Sequence, residues 1–368
     1  MVNYEELISK LGETTEPFGL LTMQATSTTG RLMRLFPDRL KALFSAEHGF
    51  FGTCAAGEKT DSAWHPFWNL PIHSLYGEHR KPTPEMLEGI GRMVIDLCDI
   101  GVRCYTYLAT LKNMLEGAAE NGVPVTVLDR PIPLGGILDG PMREPAFSSF
   151  VAPLNIPLCH GMTPGECAQY IVRAERLDVD LTVIRMRDWS HASRAPWPNF
   201  VPPSPAIRSW DSAALYPATV FTEAYGAVDC DRFGSLAFRV LGAPWFDVQR
   251  LLRDLRPVLP ACGMGARAIR YRPSGGDYRD QVLDGLLLSV ENPDAYYPVT
   301  AGTAICAALL RRHGEDFLRN ARPEWMDKLM GSPAVREAIE AKSLDSVFAS
   351  WIAAQDAAYV PSRVDLYR

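Results

Sequence analysis

The segment Leu43 to Gly52, LFSAEHGFFG, places a carboxylate and an imidazole side by side at the end of an apolar run. A helix or strand interior gains no stability from such a pair, whereas a pocket at the end of a strand could use it for acid/base chemistry. The apolar residues on both sides of Glu47 are expected to shield its carboxyl group from water, which favours the protonated form. We therefore predict that Glu47 is a general acid and that His48 lies beside it in a substrate pocket.

The elements that would position this pair follow from the apolar pattern. Five short apolar runs bounded by turn or cap residues predict buried strands over residues 18–23, 40–45, 93–97, 123–129 and 181–186. Helix signals lie between them. Thr83-Pro84-Glu85 precedes MLEGIGRMVI, and a capping box from Thr163 to Glu166 precedes CAQYIVRAERL. This alternation predicts an α/β fold with a mostly parallel sheet and helices on both faces.

The pattern changes after Asp229. APWFDVQRLLRDL and TAGTAICAALLRRHG predict helices, the second ending at Gly314, and LDGLLLSV (283–290) predicts a strand between them. The proline-rich stretch APWPNFVPPSP (195–205) predicts extended chain over a surface or between subdomains. We therefore expect one domain over residues 1–230 and a smaller C-terminal α+β domain over residues 231–368.

Polar residues follow several of the predicted strands. In open α/β sheets, ligands bind outside the carboxyl ends of the strands, so these residues are candidates for a site. We predict Asp99 as a further acid or base and predict the following residues as substrate contacts: Gln24, His48, Arg103, Tyr105, Tyr107 and Arg130. Simpler interpretations stay open, because Asp129-Arg130 could be a structural ion pair, Asp96 could brace a turn, and the tyrosines could only pack.

Several familiar signatures are not met. GTCAAGEKT (52–60) resembles a P-loop, but Glu58 separates the glycine and lysine that would hold a phosphate, and GMGARA (263–268) lacks the dinucleotide fingerprint. No G-x-S-x-G elbow is present, so a serine hydrolase is not expected. The seven histidines fall at no recognised metal spacing. The sequence therefore predicts neither a cofactor nor a metal.

Composition limits the partners and the compartment. The net charge of −6 without a basic cluster argues against nucleic acid and anionic membrane surfaces. The sequence as written begins with no signal-peptide pattern and has no apolar run long enough to span a bilayer, so we predict a cytoplasmic protein. The eight cysteines lack a CxxC spacing and are expected to be reduced thiols. A small-molecule substrate is the expected partner, and a homo- or heterodimer is left open.

Segments along nearly the whole chain resemble one known family. They are LFSAEHGFFG, SLYGEHRKPTPEML (74–87), DLCDIGVRCYTYLATL (96–111), VLDRPIPLGGILDGPMREPAFSSFV (127–151), HGMTPGE (160–166), VPPSP (201–205), ALYPAT (214–219) and LGAPWFD (241–247). In this order they resemble the bacterial exo-β-N-acetylmuramidase (NamZ-like) family, glycosidases of peptidoglycan recycling. The resemblance implies a Rossmann-like domain that carries the active site and a smaller C-terminal domain.

The resemblance also implies particular site residues. Glu47 lies in the family's E-H-G motif and would be the leading catalytic carboxylate. Glu223, in FTEAYG, lies where the family has a second glutamate in F-E-G-T. His160 in HGMTPGE and Arg232, retained from the family's polar N-x-S-x-G-R-G segment, are further candidates for substrate binding.

The departures from the family pattern are concentrated in its asparagines. Four of them are replaced, by Met23, Ile132, Gly135 and Ala206. Asparagine amides offer both donors and acceptors to a sugar, and each buried hydroxyl left unpaired costs about 1–3 kcal/mol. The replacements therefore raise the question of whether the protein still binds the family's sugar.

Three interpretations follow. In the first, the protein is a glycosidase in which Glu47 protonates the glycosidic oxygen and a second carboxylate or the substrate's acetamido group assists. In the second, it is a repurposed enzyme of specialised metabolism, in which Glu47, Asp99 or Glu223 acts as a base on a small amine or hydroxyl substrate. Such an enzyme would promote elimination or cyclisation. In the third, it is an inactive relative that stabilises a partner subunit.

Overall fold

The N-terminal part of the chain builds one seven-stranded sheet. The computed structural model describes residues 1–193 and 200–367. The strands are β1 (Phe18–Leu21), β2 (Leu40–Ser45), β3 (Ala63–Trp64), β4 (Pro71–Ser74), β5 (Arg92–Ile95), β6 (Val125–Leu128) and β7 (Leu181–Ile184). They lie in the order β3-β4-β2-β1-β5-β6-β7, and each neighbouring pair is parallel except β3 and β4. The predicted mostly parallel sheet is confirmed, and all five predicted strands are present.

Helices cover both faces of this sheet. They are α1 (Tyr4–Gly12), α2 (Thr28–Leu35), α3 (Tyr107–Glu120) and α4 (Pro164–Glu175). On one face, Leu7 of α1 and Leu32 of α2 share an apolar core with Leu20 of β1. On the other face, α3 and α4 pack on each other and on β6, with Met114 and Ile171 in the core. Because both faces are covered, strands such as β1 are buried along their whole length.

The two predicted helix starts in this part of the chain have different outcomes. The capping box at Thr163 is present: its hydroxyl accepts the Glu166 N–H, and the Glu166 carboxylate accepts the Thr163 N–H, so α4 begins as predicted. The helix predicted after Thr83 is wrong. Only a single turn forms at Glu85–Leu87, since Gly89 adopts φ +71° and the apolar residues that follow it enter β5 between two other strands.

The C-terminal part of the chain forms a smaller α+β unit. Its antiparallel sheet has the order β8-β10-β9, from β8 (Val240–Gly242), β9 (Met264–Tyr271) and β10 (Leu283–Val290). Its helices are α5 (Trp210–Thr219), α6 (Val248–Leu255), α7 (Pro298–Leu318), α8 (Pro323–Met330), α9 (Ala334–Ala341) and α10 (Leu344–Ala354). The predicted strand at 283–290 is confirmed. The helix predicted to end at Gly314 instead continues to Leu318 past a kink at His313.

Three further features bear on the predictions. Within the described residues, no helix is long and apolar enough to cross a membrane. The eight cysteines are free thiols, and seven of them are buried. Of the proline-rich stretch, residues 200–205 are irregular chain, and the prediction for residues 195–199 lies outside the described residues. The domain boundary after residue 230 and the cytoplasmic location stay predictions.

Candidate active site

A cavity of about 310 Å³ lies between the seven-stranded sheet and the C-terminal part of the chain. The N-terminal part contributes Glu47, His48, Tyr76, Tyr105 and Thr106 to its wall. The C-terminal part contributes Tyr216, Glu223, Arg232, Phe238, Arg322 and Trp325. The two predicted catalytic glutamates thus reach one cavity from opposite sides.

A tight turn after β2 presents Glu47 to this cavity. The turn closes with a hydrogen bond from the Gly49 N–H to the Ala46 carbonyl, at 3.1 Å. His48 and Gly49 both have φ +72°, a conformation that is uncommon for a residue other than glycine and that recurs at functional sites. The His48 ring is fixed by a contact of 2.9 Å between Nδ1 and the Cys54 carbonyl. The E-H-G segment therefore follows the end of β2 and turns its polar residues into the pocket.

Both oxygens of the Glu47 carboxylate accept hydrogen bonds. The Gly57 N–H donates to Oε1 at 2.6 Å, and the Thr106 hydroxyl donates to Oε2. Thr106 is the residue before α3 and makes no side-chain bond to its own helix, so the positive end of α3 also faces this carboxylate. The Gly57 N–H and the Thr106 hydroxyl therefore fix the orientation of the Glu47 carboxylate in the cavity wall.

Glu223 lies in a different environment. It ends a short turn after α5, and its Oε1 pairs with Arg232 Nη2 at 2.9 Å. Burial raises the pKa of Glu223, the charge of Glu47 raises it further, and Arg232 opposes the rise. Compared with an ordinary glutamate, Glu223 is therefore biased toward the protonated form.

Tyrosines line the wall next to Glu47. Burial, together with the facing Glu47 carboxylate, raises the pKa of Tyr76 to about 12. The ring of Tyr105 packs against Tyr107 and Tyr216, with centroids 4.9 and 6.1 Å away. The Tyr76 phenol stays protonated at neutral pH and can donate a hydrogen bond to a ligand or to Glu47.

The structure brings five of the predicted site residues together. Glu47, His48, Tyr105, Glu223 and Arg232 all line the cavity. Six others do not. Asp99 and Arg130 line a separate cavity, Gln24 is exposed on the surface, and Arg103, Tyr107 and His160 are buried outside the cavity wall.

The placement of these last three residues corrects the sequence prediction. Arg103 has no exposed surface, and its guanidinium donates to the carbonyls of Pro141, Ile156 and Met330. Tyr107 donates to the Pro203 carbonyl at 2.6 Å. His160 is enclosed, and burial lowers its pKa to about 3. Arg103 and Tyr107 use their polar groups on backbone carbonyls, and none of the three residues lines the cavity.

The remaining polar candidates are also used structurally. Arg130 pairs with Asp96 through Nε and through Nη2, the latter at 3.0 Å, so the ion pair joins two strand ends and does not involve Asp129. Asp129 instead accepts the Gly165 N–H at 2.7 Å near the start of α4. The exposed Gln24 donates its backbone N–H to the Phe50 carbonyl.

Several cavity residues were not predicted as site residues from the sequence, among them Tyr76, Thr106, Arg322 and Trp325. Thr106 carries a signal that could have found it, because a threonine before the helical pattern YLATLKNMLEGAAE is a typical N-cap. Tyr76 follows β4, a short strand that was not predicted. Arg322 and Trp325 carry no comparable signal, because their approach depends on how α8 packs against the rest of the chain.

The replaced asparagine positions are spread over different environments. Ala206 lines the cavity, whereas Ile132 is fully buried against Met186 and Trp189. The change in polarity at the cavity wall is therefore clearest at Ala206.

Among the described residues, the only group of side chains suited to hold a metal is Glu166, His191 and Asp365, and none of these lines the cavity.

Comparisons with known proteins match this architecture. The family model described as "Exo-beta-N-acetylmuramidase NamZ, N-terminal" matches residues 14–211, and the corresponding C-terminal model matches residues 214–363. The peptidoglycan beta-N-acetylmuramidase NamZ of Bacillus subtilis (strain 168) is 35% identical over 339 residues, which cover 90% of this chain and 80% of that protein.

Two crystal structures of DUF1343 family proteins from Bacteroides fragilis NCTC 9343 have the same fold. One has a TM-score of 0.88 at 27% identity and covers 99% of this chain and 97% of its own. The other has a TM-score of 0.73 at 25% identity and covers 96% and 95%. These matches do not support the alternative of an elimination or cyclisation enzyme. The chain belongs to the exo-β-N-acetylmuramidase NamZ family of glycoside hydrolases.

Proposed function

We propose that this protein hydrolyses the bond of a terminal β-linked N-acetylmuramic acid residue in a small glycoside, using Glu47 and Glu223. The observation that carries the proposal is the convergence of these two carboxyl groups on one cavity. Glycoside hydrolysis needs a pair of carboxyl groups, one to protonate the leaving oxygen and one to act as base or nucleophile. The relative from Bacillus subtilis, which is named for this activity, supports the choice of sugar.

The contacts of the two glutamates favour a division of roles. Glu47 accepts hydrogen bonds at both oxygens and faces a helix N-terminus, so it is suited to act as the base or nucleophile. Glu223 has a raised pKa, so it is suited to act as the general acid. This assignment reverses the role that the sequence alone favoured for Glu47.

A cation in the cavity is consistent with an acidic sugar. N-acetylmuramic acid differs from N-acetylglucosamine by a lactyl ether, which carries a carboxylate. Arg232 is already paired with the Glu223 carboxylate. Arg322 also lines the cavity; its Nη2 donates to the Glu223 backbone carbonyl, and no carboxylate in the described part of the chain lies within 4.0 Å of it. We therefore assign Arg322 to the lactyl carboxylate, because a guanidinium suits that group.

The dependence of the rate on the leaving group tests the roles assigned to Glu47 and Glu223. An aryl N-acetylmuramide needs little protonation of its leaving group, whereas a muramyl disaccharide needs a general acid. We expect Glu223→Gln to lose about 10²- to 10⁴-fold in rate on the disaccharide and far less on the aryl glycoside. Glu47→Gln should lose activity on both, and the exposed Glu78→Gln on neither. If Glu47→Gln is the variant rescued by the aryl leaving group, the roles are reversed, and a wild type inactive on both substrates overturns the proposal.

A further inference from the structure

A second cavity, of about 470 Å³, lies at the carboxyl ends of β1, β5 and β6. The order of the sheet reverses at β1, which has β2 on one side and β5 on the other. The carboxyl edge of such a switch point is the usual place for a ligand in open α/β sheets. The residues after these strands line the cavity, with Ser27 beyond β1, Asp99 after β5 and Arg130 after β6.

The segment from Val201 to Ala206 separates this cavity from the candidate active site. Val201 and Pro203 line the second cavity, whereas Ser204 and Ala206 line the first. Tyr107 fixes the segment through its hydrogen bond to the Pro203 carbonyl. Among the described residues, no side chain lines both cavities. The second cavity therefore has its own set of chemical groups.

Arg31 brings a positive charge to the wall of the second cavity. Arg130 also lines the cavity, but its charge is balanced by Asp96. The Arg31 guanidinium lies over the ring of Tyr4, with its Cζ 4.6 Å from the ring centroid, and no carboxylate of the described residues lies within 4.0 Å of it. Since Ser27 precedes α2, the positive end of that helix lies at the same edge of the cavity. This edge is therefore electropositive.

Besides this electropositive edge, the cavity has an acidic side chain and an apolar wall. Asp99 Oδ1 accepts the Gly101 N–H at 2.7 Å, and burial raises the Asp99 pKa to about 7. Near neutral pH this carboxyl group can therefore either donate or accept a hydrogen bond. Phe200, Val201 and Pro133 supply apolar surface. A concave, mostly apolar site with a few convergent polar groups is typical of a small-molecule binding site.

We propose that this cavity is a second ligand site, distinct from the glycosidase site, which binds a small organic acid. The acid's carboxylate or phosphate group binds Arg31, its apolar body packs on Phe200 and Val201, and a polar substituent reaches Asp99. The proposal does not depend on the proposed function, because none of these residues faces Glu47.

Calorimetric titration of the full chain tests the site with three probes, each of which contains a phenyl ring. These are phenyl phosphate, benzoate and the neutral benzyl alcohol. We expect one of the two anions to bind at one molecule per chain and benzyl alcohol to bind at least about tenfold more weakly, since a charge-assisted hydrogen bond is lost. The stronger anion identifies the headgroup. Equal binding of all three probes, or no binding at 10 mM anion, overturns the proposal.

Two variants locate the bound anion. Arg31→Gln should weaken binding about tenfold or more, whereas Arg34→Gln, an exposed arginine on the same helix that does not line the cavity, should leave it within about twofold. Ala25→Trp leaves Arg31 unchanged and places a large ring in the cavity, so it should also abolish binding. Circular dichroism checks that each variant is folded. Binding that survives both Arg31→Gln and Ala25→Trp places the anion elsewhere and contradicts the assignment.

Discussion

At the scale of single residues, the two glutamates of the cavity differ in what surrounds them. Glu47 is held by the Gly57 N–H and the Thr106 hydroxyl, and Glu223 is held by one arginine. The same residue type can therefore serve two roles, because donors orient both oxygens of Glu47, whereas burial raises the pKa of Glu223. Two predictions follow from this difference.

The first prediction concerns the pH dependence of activity. A general acid must be protonated, so activity should fall as the pH rises through the pKa of Glu223. Arg232 lowers that pKa, and removing its charge in Arg232→Met should raise it. The alkaline limb of kcat/KM against pH should therefore move up by about one pH unit. The exposed Arg250→Met serves as the control. A limb that stays in place or moves down would show that Glu223 is not the acid.

The second prediction concerns the positioning of Glu47. Thr106→Val removes the hydroxyl that donates to Oε2 while keeping the shape of the side chain. We expect kcat to fall about 10- to 100-fold with KM within about twofold, because an orienting hydrogen bond is lost while the cavity is unchanged. Thr106→Ser should restore most of the rate. If both variants lose stability to the same extent and kcat is unaffected, Thr106 serves only the fold.

Of the residues predicted from the sequence, Glu47 and His48 line the cavity and Arg103 does not, while their roles stay predictions. The apolar run that ends at Ser45 makes a polar pair directly after it conspicuous, because buried strands end at the edge where ligands bind. Arg103 also follows a strand, but its direction is fixed by carbonyls such as that of Met330, more than two hundred residues later. Local sequence carries no information about such a partner.

At the scale of elements, α7 depends on a residue from the other part of the chain. Tyr297, directly before α7, provides no side-chain cap. Asp139 takes that role: its Oδ2 accepts the N–H groups of Val299 and Thr300 at 2.7 and 3.0 Å, and its Oδ1 accepts the Thr300 hydroxyl at 2.8 Å. A buried carboxylate thus satisfies the start of the longest helix.

Removing this cap should destabilise the protein. We expect Asp139→Ala to lower the free energy of unfolding by about 2–4 kcal/mol, because it leaves several buried donors unpaired. Asp139→Asn, which keeps one oxygen, should lose less. Thermal unfolding measures the order of the three proteins, with the exposed Asp356→Ala as the control. An Asp139→Ala variant as stable as this control would show that α7 does not need the cap.

Element boundaries were predictable where local chemistry decides them. The capping box at Thr163 sets the start of α4 by itself, and the apolar runs locate five of the seven strands of the large sheet. The start signal at Thr83 was equally clear, yet the residues after it join the sheet because burying Met93 and Ile95 between two strands outweighs one helical turn. Such competition depends on tertiary contacts, which a single segment does not show.

At the scale of the whole molecule, Arg103 links the two parts of the chain. It lies between β5 and α3, and its guanidinium reaches the carbonyl of Met330 at the end of α8. Gly331, with φ +70°, follows directly, and a Cβ there would come within 2.7 Å of Arg103 Nη2. The same helix carries Trp325, which lines the active-site cavity. Arg103 therefore helps to hold both walls of that cavity in place.

This role differs from substrate binding in a measurable way. Arg103→Met should lower the free energy of unfolding by about 3–5 kcal/mol, since it leaves several buried carbonyls unpaired. At temperatures where the variant is folded, its KM should stay within about threefold of the wild type. The exposed Arg279→Met is the control. A variant of normal stability with a strongly raised KM would instead support the original prediction of a substrate contact.

The family resemblance predicted Glu223 as a second carboxylate, but the sequence did not predict that the cavity is lined by both parts of the chain. Glu223 follows α5 in a stretch whose pattern indicates no site, and it shares a cavity with Glu47 because the two parts of the chain pack together.

We propose that the convergence of Glu47 and Glu223 makes this protein a glycosidase. Hydrolysis of a chromogenic β-N-acetylmuramide by the wild type and by Glu47→Gln, with thermal stability measured for both, tests it most directly. We predict turnover by the wild type and a loss of about a thousandfold or more in an equally stable variant. No turnover by the wild type, or a Glu47→Gln variant within tenfold of it, would contradict the account.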